Sequence, residues 1–550
     1  MRIIVVLILS LSFVFYGCKK NKTFTAIKLS NAEAQMTDST FNLKKPIKNW
    51  QLKDIELDTT PGISLERAYD SLLINKKGKE VIIAVLDSEI DIEHKDIKKH
   101  IWKNEDEIPN NGIDDDKNGY IDDIYGWNFL GNNKGENASF TSYAYTRILK
   151  KYDSLFKDKK KQDIKSKDSL LFFTYLRAKE KYKSRVEYAK EDIEYADMLL
   201  ESMANVKKIL SQYFPYKKYI VKDLDSLKKI FPNNEELQDA VLIRSNFINY
   251  GFSQEYMNLY KLKAEERINK LLNVEFNERI IIGDDPEDIT DTSYGNNNIN
   301  GNISLFTHGT EVSSTITSLN DDNIKIMTLA ISPFGDEHDK DIALAIRYAI
   351  DNGAKVINMS FCKEFSLHRK WVNDAFKYAK KNNVIIIAAA GNEAQNLNSV
   401  SIKFPNDILN NGEEVSDNFI SVGSISNSLN KKILSYFSNY SNNYVDLFAP
   451  GNDIYTALPN NKHNFNGGTS LASAITSGVA ALLYAYYPNL TASQVKHILM
   501  DSGLEYDIEV STPTKDDKNK TTPFNQLSKS GKVLNAYNAF IMADSISRSN

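Results

Sequence analysis

Three apolar runs along the chain predict strands that are buried on both faces of a sheet. They are VIIAVLD at 81–87, KVINMSF at 355–361 and NVIIIAAAG at 383–391. Each run is continuous rather than alternating, which is typical of a parallel sheet with both faces covered. Helical patterns precede the second and third runs, so strand and helix alternate. We therefore expect an α/β fold with a doubly wound parallel sheet, in which functional groups gather just beyond the carboxyl ends of the strands.

A long helical pattern interrupts this alternation. Residues 136–214 contain no glycine and no proline, and apolar residues recur there at spacings of three and four. They are Leu171, Tyr175, Ala178, Tyr182, Val186, Ala189, Ile193 and Ala196. This spacing predicts an amphipathic helix with a solvated Lys/Glu-rich face. We expect residues 134–277 to be a helical insertion, a hairpin or small bundle, which is either a surface decoration or an arm that limits access to large substrates.

The first residues have the layout of an export signal. An apolar run ends at Tyr16, and Gly17 and Cys18 follow. This segment resembles a bacterial lipoprotein signal, which implies cleavage after residue 17 and a lipid on Cys18; an ordinary cleaved signal is the alternative. We expect an exported, membrane-anchored lipoprotein on the periplasmic or cell-surface side. The only other cysteine is Cys362, so a lipidated chain has no internal disulfide available.

These patterns divide the chain into five parts. Residues 1–17 are the predicted signal peptide, and 18–60 are a tether and N-terminal segment. Residues 61–133 and 278–545 are the two parts of the core, on either side of the insertion. Composition is ordinary for a globular protein, with 42% hydrophobic and 25% charged residues, and the formal net charge of −4 gives no sign of nucleic-acid binding.

Four short segments carry the candidate chemistry. They supply Asp87 at the end of a predicted strand, His308 in THGTE, Asn392 in AAAGNE and Ser470 in GGTSLASA. A serine hydroxyl is a weak nucleophile at neutral pH, so acyl transfer needs a base, a carboxylate that orients the base, and a donor for the oxyanion. Taken singly, each residue is more often a helix cap or a structural group. Together they indicate nucleophilic catalysis.

The order Asp, His, Asn, Ser in these contexts resembles the subtilisin-like serine proteases (peptidase S8 family). The resemblance covers nearly all of 50–133 and 279–540. It implies that Asp87 orients the imidazole, His308 is general base and then acid, Ser470 forms the acyl-enzyme, and Asn392 contributes to the oxyanion hole. It also implies that the substrate binds along the segment Ser360, Phe361 and Cys362, and that no cofactor is required for the chemistry.

The chain departs from the family pattern at four positions. Glu89 and Cys362 stand where the family usually has glycine, Glu311 where it has histidine, and Ala474 where it has proline. None of these changes removes a catalytic group. Cys362 should narrow the space for the substrate residue that precedes the cut, or block the cleft.

An acidic turn is a candidate calcium loop. Its oxygen-bearing residues alternate before and after Gly119 as in the first half of an EF-hand loop. The candidate ligands are Asp114, Asp116, Asn118, Tyr120 and Asp122. Tyr125 stands where the loop's final glutamate would be, so a structural calcium ion and an ion-free acidic turn both remain open.

The sequence thus predicts a lipid-anchored serine endopeptidase acting on proteins or peptides. Two alternatives remain: a catalytically impaired pseudoprotease that binds peptides, and a lipid-anchored binding or scaffold protein that acts through its insertion. The sequence does not indicate an oligomeric state.

Overall fold

A computed structural model of the chain describes residues 46–215, 218–399, 403–409 and 411–548. The predicted signal peptide 1–17 and Cys18 lie outside the described residues. The strands of the described part are β1 Val81–Asp87, β2 Gly126–Asn128, β3 Ile324–Ala330, β4 Val356–Met359, β5 Ile385–Ala389, β6 Phe419–Ile425, β7 Leu447–Pro450, β8 Ile454–Leu458, β9 Lys462–Asn466, β10 Leu504–Glu505, β11 Glu509–Ser511, β12 Thr521–Pro523 and β13 Lys532–Val533.

Nine of these strands form one sheet, in the order β10-β13-β7-β6-β5-β4-β1-β3-β2. All neighbours are parallel except β10 and β13 at one edge. Two antiparallel pairs, β8 with β9 and β11 with β12, lie outside this sheet. The helices of eight residues or more are α1 Ala144–Phe156, α2 Ser169–Ser211, α3 Val221–Ile230, α4 Glu235–Asn249, α5 Gln254–Glu266, α6 His308–Thr317, α7 Asp339–Asp351, α8 Arg369–Lys381, α9 Thr469–Tyr486, α10 Ala492–Asp501 and α11 Ala536–Ser547.

Both faces of the sheet are covered, as the apolar runs predict. Successive side chains of β1 point to opposite faces: Ile83 and Val85 pack in a core that includes α6, α9, α10 and α11. Ala84 and Leu86 pack in a second core that includes α7 and α8. The predicted α/β fold with a doubly wound parallel sheet is therefore confirmed.

Helix α9 is long and apolar enough to cross a membrane by length and composition, but 94% of it is buried inside the molecule. It packs against β1, β4, β5, β6 and β7. Its apolar character is that of a core helix, and its first turn carries Ser470 at the carboxyl edge of the sheet.

Helices α1 to α5 lie within the residues predicted as an insertion. Helix α2 is 43 residues long and packs against α1 and α5. A short helix, Arg279–Ile282, leads the chain back to the core. The helical segment therefore interrupts the core between β2 and β3, on the chain between Asp87 and His308.

The segment 18–60, predicted as a tether and N-terminal segment, packs against the core from Trp50 onward. Trp50 is fully buried, and Leu52 and Ile55 belong to the same core as α9. The Trp50 indole N–H donates to the backbone carbonyls of Asn452 (3.1 Å) and Asp453 (3.2 Å). Sequence reasoning missed this because three apolar residues spread over six positions give no clear period, while their partners lie 400 residues away.

Candidate active site

Asp87 and His308 are paired at the carboxyl end of β1. The Nδ1 atom of His308 lies 2.8 Å from Oδ1 and 3.0 Å from Oδ2 of Asp87. Asp87 is 1% exposed, and its Oδ1 also accepts the Ser88 backbone N–H at 2.7 Å. A carboxylate fixed in this way holds the imidazole ring with its proton on Nδ1 and its Nε2 lone pair available.

A glycine allows this close approach of helix α6 to β1. A Cβ atom placed on Gly309 would lie 2.5 Å from the Ser88 carbonyl oxygen, so a side chain there would force the helix away. The Gly309 N–H donates to the Ser88 hydroxyl at 3.0 Å. The glycine that follows His308 therefore sets its distance from Asp87.

The charge of His308 depends on two opposing effects. Burial of the ring favours its neutral form, but the nearby Asp87 carboxylate favours the imidazolium and raises the pKa of His308 to about 9. Glu311 and Glu337 act in the same direction as Asp87. The His308 side chain nevertheless remains 46% exposed, so a substrate can reach it.

Ser470 is the second residue of α9 and is 8% exposed. Its hydroxyl donates to the backbone carbonyl of Ser360 at 2.8 Å, and no hydrogen bond joins it to His308 in the described part of the chain. The Ser470 backbone N–H belongs to the first turn of α9, where N–H groups have no partner within the helix. The structure thus leaves a donor free beside the hydroxyl, at the positive end of a long helix.

Asn392 follows β5 and is exposed. Its Oδ1 accepts both the backbone N–H and the hydroxyl of Thr469, each at 2.9 Å. Because Oδ1 is held by these two donors, the amide Nδ2 faces the other way. It lies 3.6 Å from the position that a Cβ would occupy on Gly468. The Asn392 amide and the Ser470 N–H therefore offer two donors around the start of α9.

The segment Ser360, Phe361 and Cys362 continues from the end of β4 towards this site. The Ser360 hydroxyl accepts from Asn358 (2.8 Å) and donates to the Ser470 carbonyl (3.0 Å), which fixes the segment against α9. The Cys362 sulfur lies 2.9 Å from the position of a Cβ built on Gly391. Burial raises the pKa of the Cys362 thiol to about 12, so the thiol is neutral.

The two glutamates that depart from the family pattern are both buried and hydrogen-bonded. Glu89 accepts from the Asn137 side chain (3.0 Å) and from the Asn302 backbone N–H. Glu311 accepts from the Asn466 side chain. Each glutamate has polar partners in segments that are distant in sequence. Among the described residues, neither glutamate is hydrogen-bonded to Asp87 or His308.

The acidic turn brings together two of its predicted ligands with a residue that the sequence did not indicate. Carboxylate oxygens of Asp114, Asp116 and Glu107 all lie within 4.8 Å of one another. Burial, together with the charges of Asp123 and Asp116, raises the pKa of Glu107. Glu107 precedes the turn by seven residues, outside the spacing of the loop pattern, so only the fold reveals it.

The other three predicted ligands are placed differently. Asp122 accepts from two backbone N–H groups earlier in the turn, at 3.1 and 2.9 Å. Asn118 donates to Asp116 at 3.1 Å and accepts the Tyr120 N–H at 2.8 Å. Because of these hydrogen bonds, Asp122 lies outside the cluster of three carboxylates formed by Glu107, Asp114 and Asp116.

Comparisons with known proteins indicate the family to which the chain is similar. The profile of the subtilase family (peptidase S8) matches residues 78–529. Subtilisin-like protease 1 from Plasmodium falciparum (isolate 3D7) is 30% identical over 260 residues, which cover 42% of this chain and 37% of that protein. Subtilisin DY from Bacillus licheniformis is 28% identical over 201 residues, which cover 35% of this chain and 68% of that protein.

Among solved structures, the epidermin leader peptide processing serine protease (EpiP) from Staphylococcus aureus is 23% identical, with a TM-score of 0.36. The match covers 45% of this chain and 66% of that one. The family match over 78–529 confirms the resemblance that the four sequence segments indicated.

Proposed function

The chain belongs to the subtilase family, and from this we propose that it is a serine endopeptidase that hydrolyses peptide bonds in protein or peptide substrates. One observation carries the proposal: the Nδ1 atom of His308 lies 2.8 Å from a buried Asp87 carboxylate, at the sheet edge where the first turn of α9 carries Ser470. A hydrogen-bonded imidazole next to a serine is the arrangement that acyl transfer requires.

In the first half of the reaction, the Ser470 hydroxyl attacks the scissile carbonyl and His308 Nε2 takes its proton. Asp87 stabilises the imidazolium that forms. The oxyanion accepts hydrogen bonds from the Asn392 amide and the Ser470 backbone N–H. When the C–N bond breaks, His308 returns the proton to the leaving amine, and the acyl group remains on Ser470.

In the second half, a water molecule attacks the acyl-enzyme, with His308 again as the base. The same two donors stabilise the second oxyanion. Ser470 is released when His308 returns the proton to its oxygen. The groups of this chain are therefore sufficient for peptide hydrolysis without a cofactor.

The reaction requires a change at Ser470. Its hydroxyl donates to the Ser360 carbonyl, so it must turn towards His308 before attack. Hydrogen bonds between catalytic groups often form only in the substrate complex. We infer that an extended substrate pairs with the backbone of the segment Ser360 to Cys362, beyond the end of β4, where it competes for the Ser360 carbonyl and releases the hydroxyl.

Cys362 restricts the residue that precedes the cut. Its sulfur lies against Gly391, next to the oxyanion donor Asn392. A side chain at this wall leaves room for a small substrate residue, and the neutral thiol adds no charge to attract a basic one.

The proposal includes export and a lipid on Cys18, which would hold the enzyme at a membrane on the periplasmic or cell-surface side. Mass spectrometry of the mature protein, extracted with detergent, should find the chain beginning at a lipidated Cys18. A mature chain that begins elsewhere and carries no lipid would contradict this part.

A structural calcium ion fits the carboxylate group of Glu107, Asp114 and Asp116, because calcium prefers several oxygen ligands and carboxylates this close repel one another without a cation. Calcium should raise the thermal midpoint of unfolding, and chelator should lower it, in the unaltered protein but not in Asp114→Asn. Glu105→Gln, a change at an exposed neighbour, is the control. Identical midpoints with calcium and chelator would exclude the ion.

The catalytic proposal is tested by labelling the purified protein with a fluorophosphonate probe. The reagent reacts with activated serines, so the unaltered protein should be labelled and Ser470→Ala should not. Ser473→Ala is the matched control, since Ser473 is a buried serine one turn further along the same helix. Cleavage of a peptide library should follow the same pattern.

A folded protein that is neither labelled nor able to cleave peptides, with or without calcium, would contradict the proposal and favour a pseudoprotease. Labelling that survives in Ser470→Ala would assign the reactive group to another residue.

A further inference from the structure

Three aromatic rings connect the helical insertion to the segment that carries His308. The Phe306 and Phe334 rings stack with their centroids 4.9 Å apart, and Phe334 stacks on Phe140 at 5.5 Å. Phe306 precedes His308 by two residues, whereas Phe140 belongs to the chain that enters the insertion. The three rings therefore form a wall that runs from the segment just before His308 to the insertion.

The central ring of the stack, Phe334, belongs to the loop 332–338. This loop lies on the side of the site where the substrate residues that precede the cut would bind. Within that loop, the Glu337 carbonyl accepts the Lys363 ammonium at 2.6 Å, next to Cys362. The Glu337 carboxylate acts electrostatically on both His308 and Cys362. The loop therefore borders the same side as the segment Ser360 to Cys362, where the residues preceding the cut would bind.

Helix α5 of the insertion places a lysine on this wall. The Lys263 ammonium lies 4.4 Å from the centre of the Phe334 ring. Its side chain is half-buried, and burial alone lowers its pKa. Among the described residues, no carboxylate forms an ion pair with it.

A second lysine on this wall, Lys270, has its charge paired with a carboxylate. The Lys270 ammonium lies 4.3 Å from the centre of the Phe140 ring, in nearly the same relation to an aromatic face. Unlike Lys263, Lys270 pairs with Glu266 at 2.9 Å. The wall thus carries two cations of similar geometry, of which one has a counter-ion in the chain.

A half-desolvated ammonium without a counter-ion loses hydration that an aromatic face only partly replaces. An anionic group that docks beside it recovers that loss, and the partly excluded water makes the attraction stronger than at an open surface. In the proposed function, an acidic side chain of a bound substrate is such a group.

Resting on the proposed function, we propose that Lys263 is a specificity-determining residue that selects peptide substrates with an aspartate or glutamate side chain among the residues preceding the cut. The insertion thereby acts in substrate recognition, through one charge at the edge of the cleft. The stacked rings position that charge relative to His308.

The test compares internally quenched peptides that share one sequence cleaved by the unaltered protein. The second, third and fourth residues before the cut are replaced in turn by Asp, Asn or Lys. At one of these positions the Asp peptide should have a kcat/KM about three to ten times that of the Asn peptide, an effect of a partly buried charge pair. Raising the salt concentration should reduce this ratio.

Three variants assign the effect to Lys263. Lys263→Met should lose the preference for the Asp peptide over the Asn peptide, and Lys263→Glu should prefer the Lys peptide. Lys270→Met should retain the preference for Asp. Equal cleavage of the Asp and Asn peptides by the unaltered protein, or an Asp preference that survives in Lys263→Met, would overturn the proposal.

The two proposals fail differently. If the unaltered protein reacts with fluorophosphonate and cleaves the Asp and Asn peptides equally well, only the proposed role of Lys263 is contradicted. If it neither cleaves any peptide nor reacts with the probe, the proposed function is lost, and the role of Lys263 with it.

Discussion

In the proposed mechanism, the Asp87 charge that orients the His308 ring also favours the protonated ring, and that proton must leave before His308 can act as a base. The Asp87 carboxylate fixes Nδ1 and at the same time raises the pKa of the imidazole to about 9. Only the neutral ring can accept the Ser470 proton. Because Asp87 both orients the His308 ring and raises its pKa, the ring is mostly protonated at neutral pH.

This predicts how activity depends on pH. The kcat/KM for peptide cleavage should rise with pH along a limb centred near 9, because it follows the neutral form of His308. Replacing Asp87 with Asn should move this limb to lower pH and reduce kcat by roughly 10³ to 10⁴. Glu311→Gln should shift the limb downwards by a smaller amount. A limb that stays in place in Asp87→Asn would contradict the assigned pair.

Stability should change in the opposite direction to activity. The pKa of His308 is higher in the folded protein than its ordinary value of 6.5, so the ion pair stabilises fully below about 6.5, and this contribution disappears as pH rises through about 9. The thermal midpoint of the unaltered protein, relative to Asp87→Asn, should therefore fall over this interval.

Cys362 is the residue at which substrate preference can be tested separately from catalysis. Cys362→Gly removes the sulfur that lies against Gly391, so peptides with a large residue before the cut should gain about tenfold in kcat/KM relative to alanine peptides. Cys362→Ser keeps the volume and should keep the preference. A preference that is unchanged by Cys362→Gly would place the restricting wall elsewhere.

At the scale of elements, the return of the insertion to the core is fixed by a buried charge cluster. Arg279, in the short helix that ends the insertion, lies 2.6 Å from Asp341 of α7 and 2.9 Å from Asp284. The Tyr294 hydroxyl donates to Asp341 at 2.6 Å. All of these charged side chains are almost fully buried, so each depends on its partners.

Removing Arg279 from this cluster should be costly. Arg279→Met leaves the buried Asp341 carboxylate without its cation, whereas Asp284 keeps Lys340 at 2.7 Å. The change should lower the free energy of unfolding by about 3–5 kcal/mol, seen as a lower thermal midpoint. Adding Asp341→Asn to Arg279→Met should recover part of the loss. Lys98→Met, which breaks an exposed pair with Glu93, should leave the thermal midpoint nearly unchanged. Similar losses in both single variants would contradict the role of burial.

The elements also show how far the sequence could predict the fold and the site. The apolar runs of β1, β4 and β5 and the long helix α2 follow from local pattern alone. The positions of Asp87, His308, Asn392 and Ser470 followed from short motifs and a family resemblance, and their catalytic roles stay predictions. Contacts that follow no repeating pattern, such as Glu107 with the acidic turn or Lys263 with Phe334, have no signature in the sequence, because neither period nor spacing encodes them.

At the scale of the whole molecule, one half of the insertion packs against the core, and the other half packs only against itself. The near half packs α1 and the start of α2 around Phe365, a core residue that is 3% exposed. Lys181 also pairs with Glu364 at 2.6 Å. The far half, with α3 and α4, forms two separate apolar clusters that contain only insertion residues.

This division predicts which truncation the enzyme tolerates. Helices α2 and α5 run side by side, and Lys261 pairs with Asp197 at 2.6 Å, so a short Gly/Ser linker can replace 199–256 while keeping that pair and Lys263. The shortened protein should fold, cleave small peptides with an unchanged kcat/KM and retain the Asp preference. A linker that replaces 144–271 should instead expose Phe365 and the ring wall, giving an unstable protein with impaired cleavage. If both deletions abolish peptide cleavage, the far half also supports the active site; if neither does, the near half is a decoration.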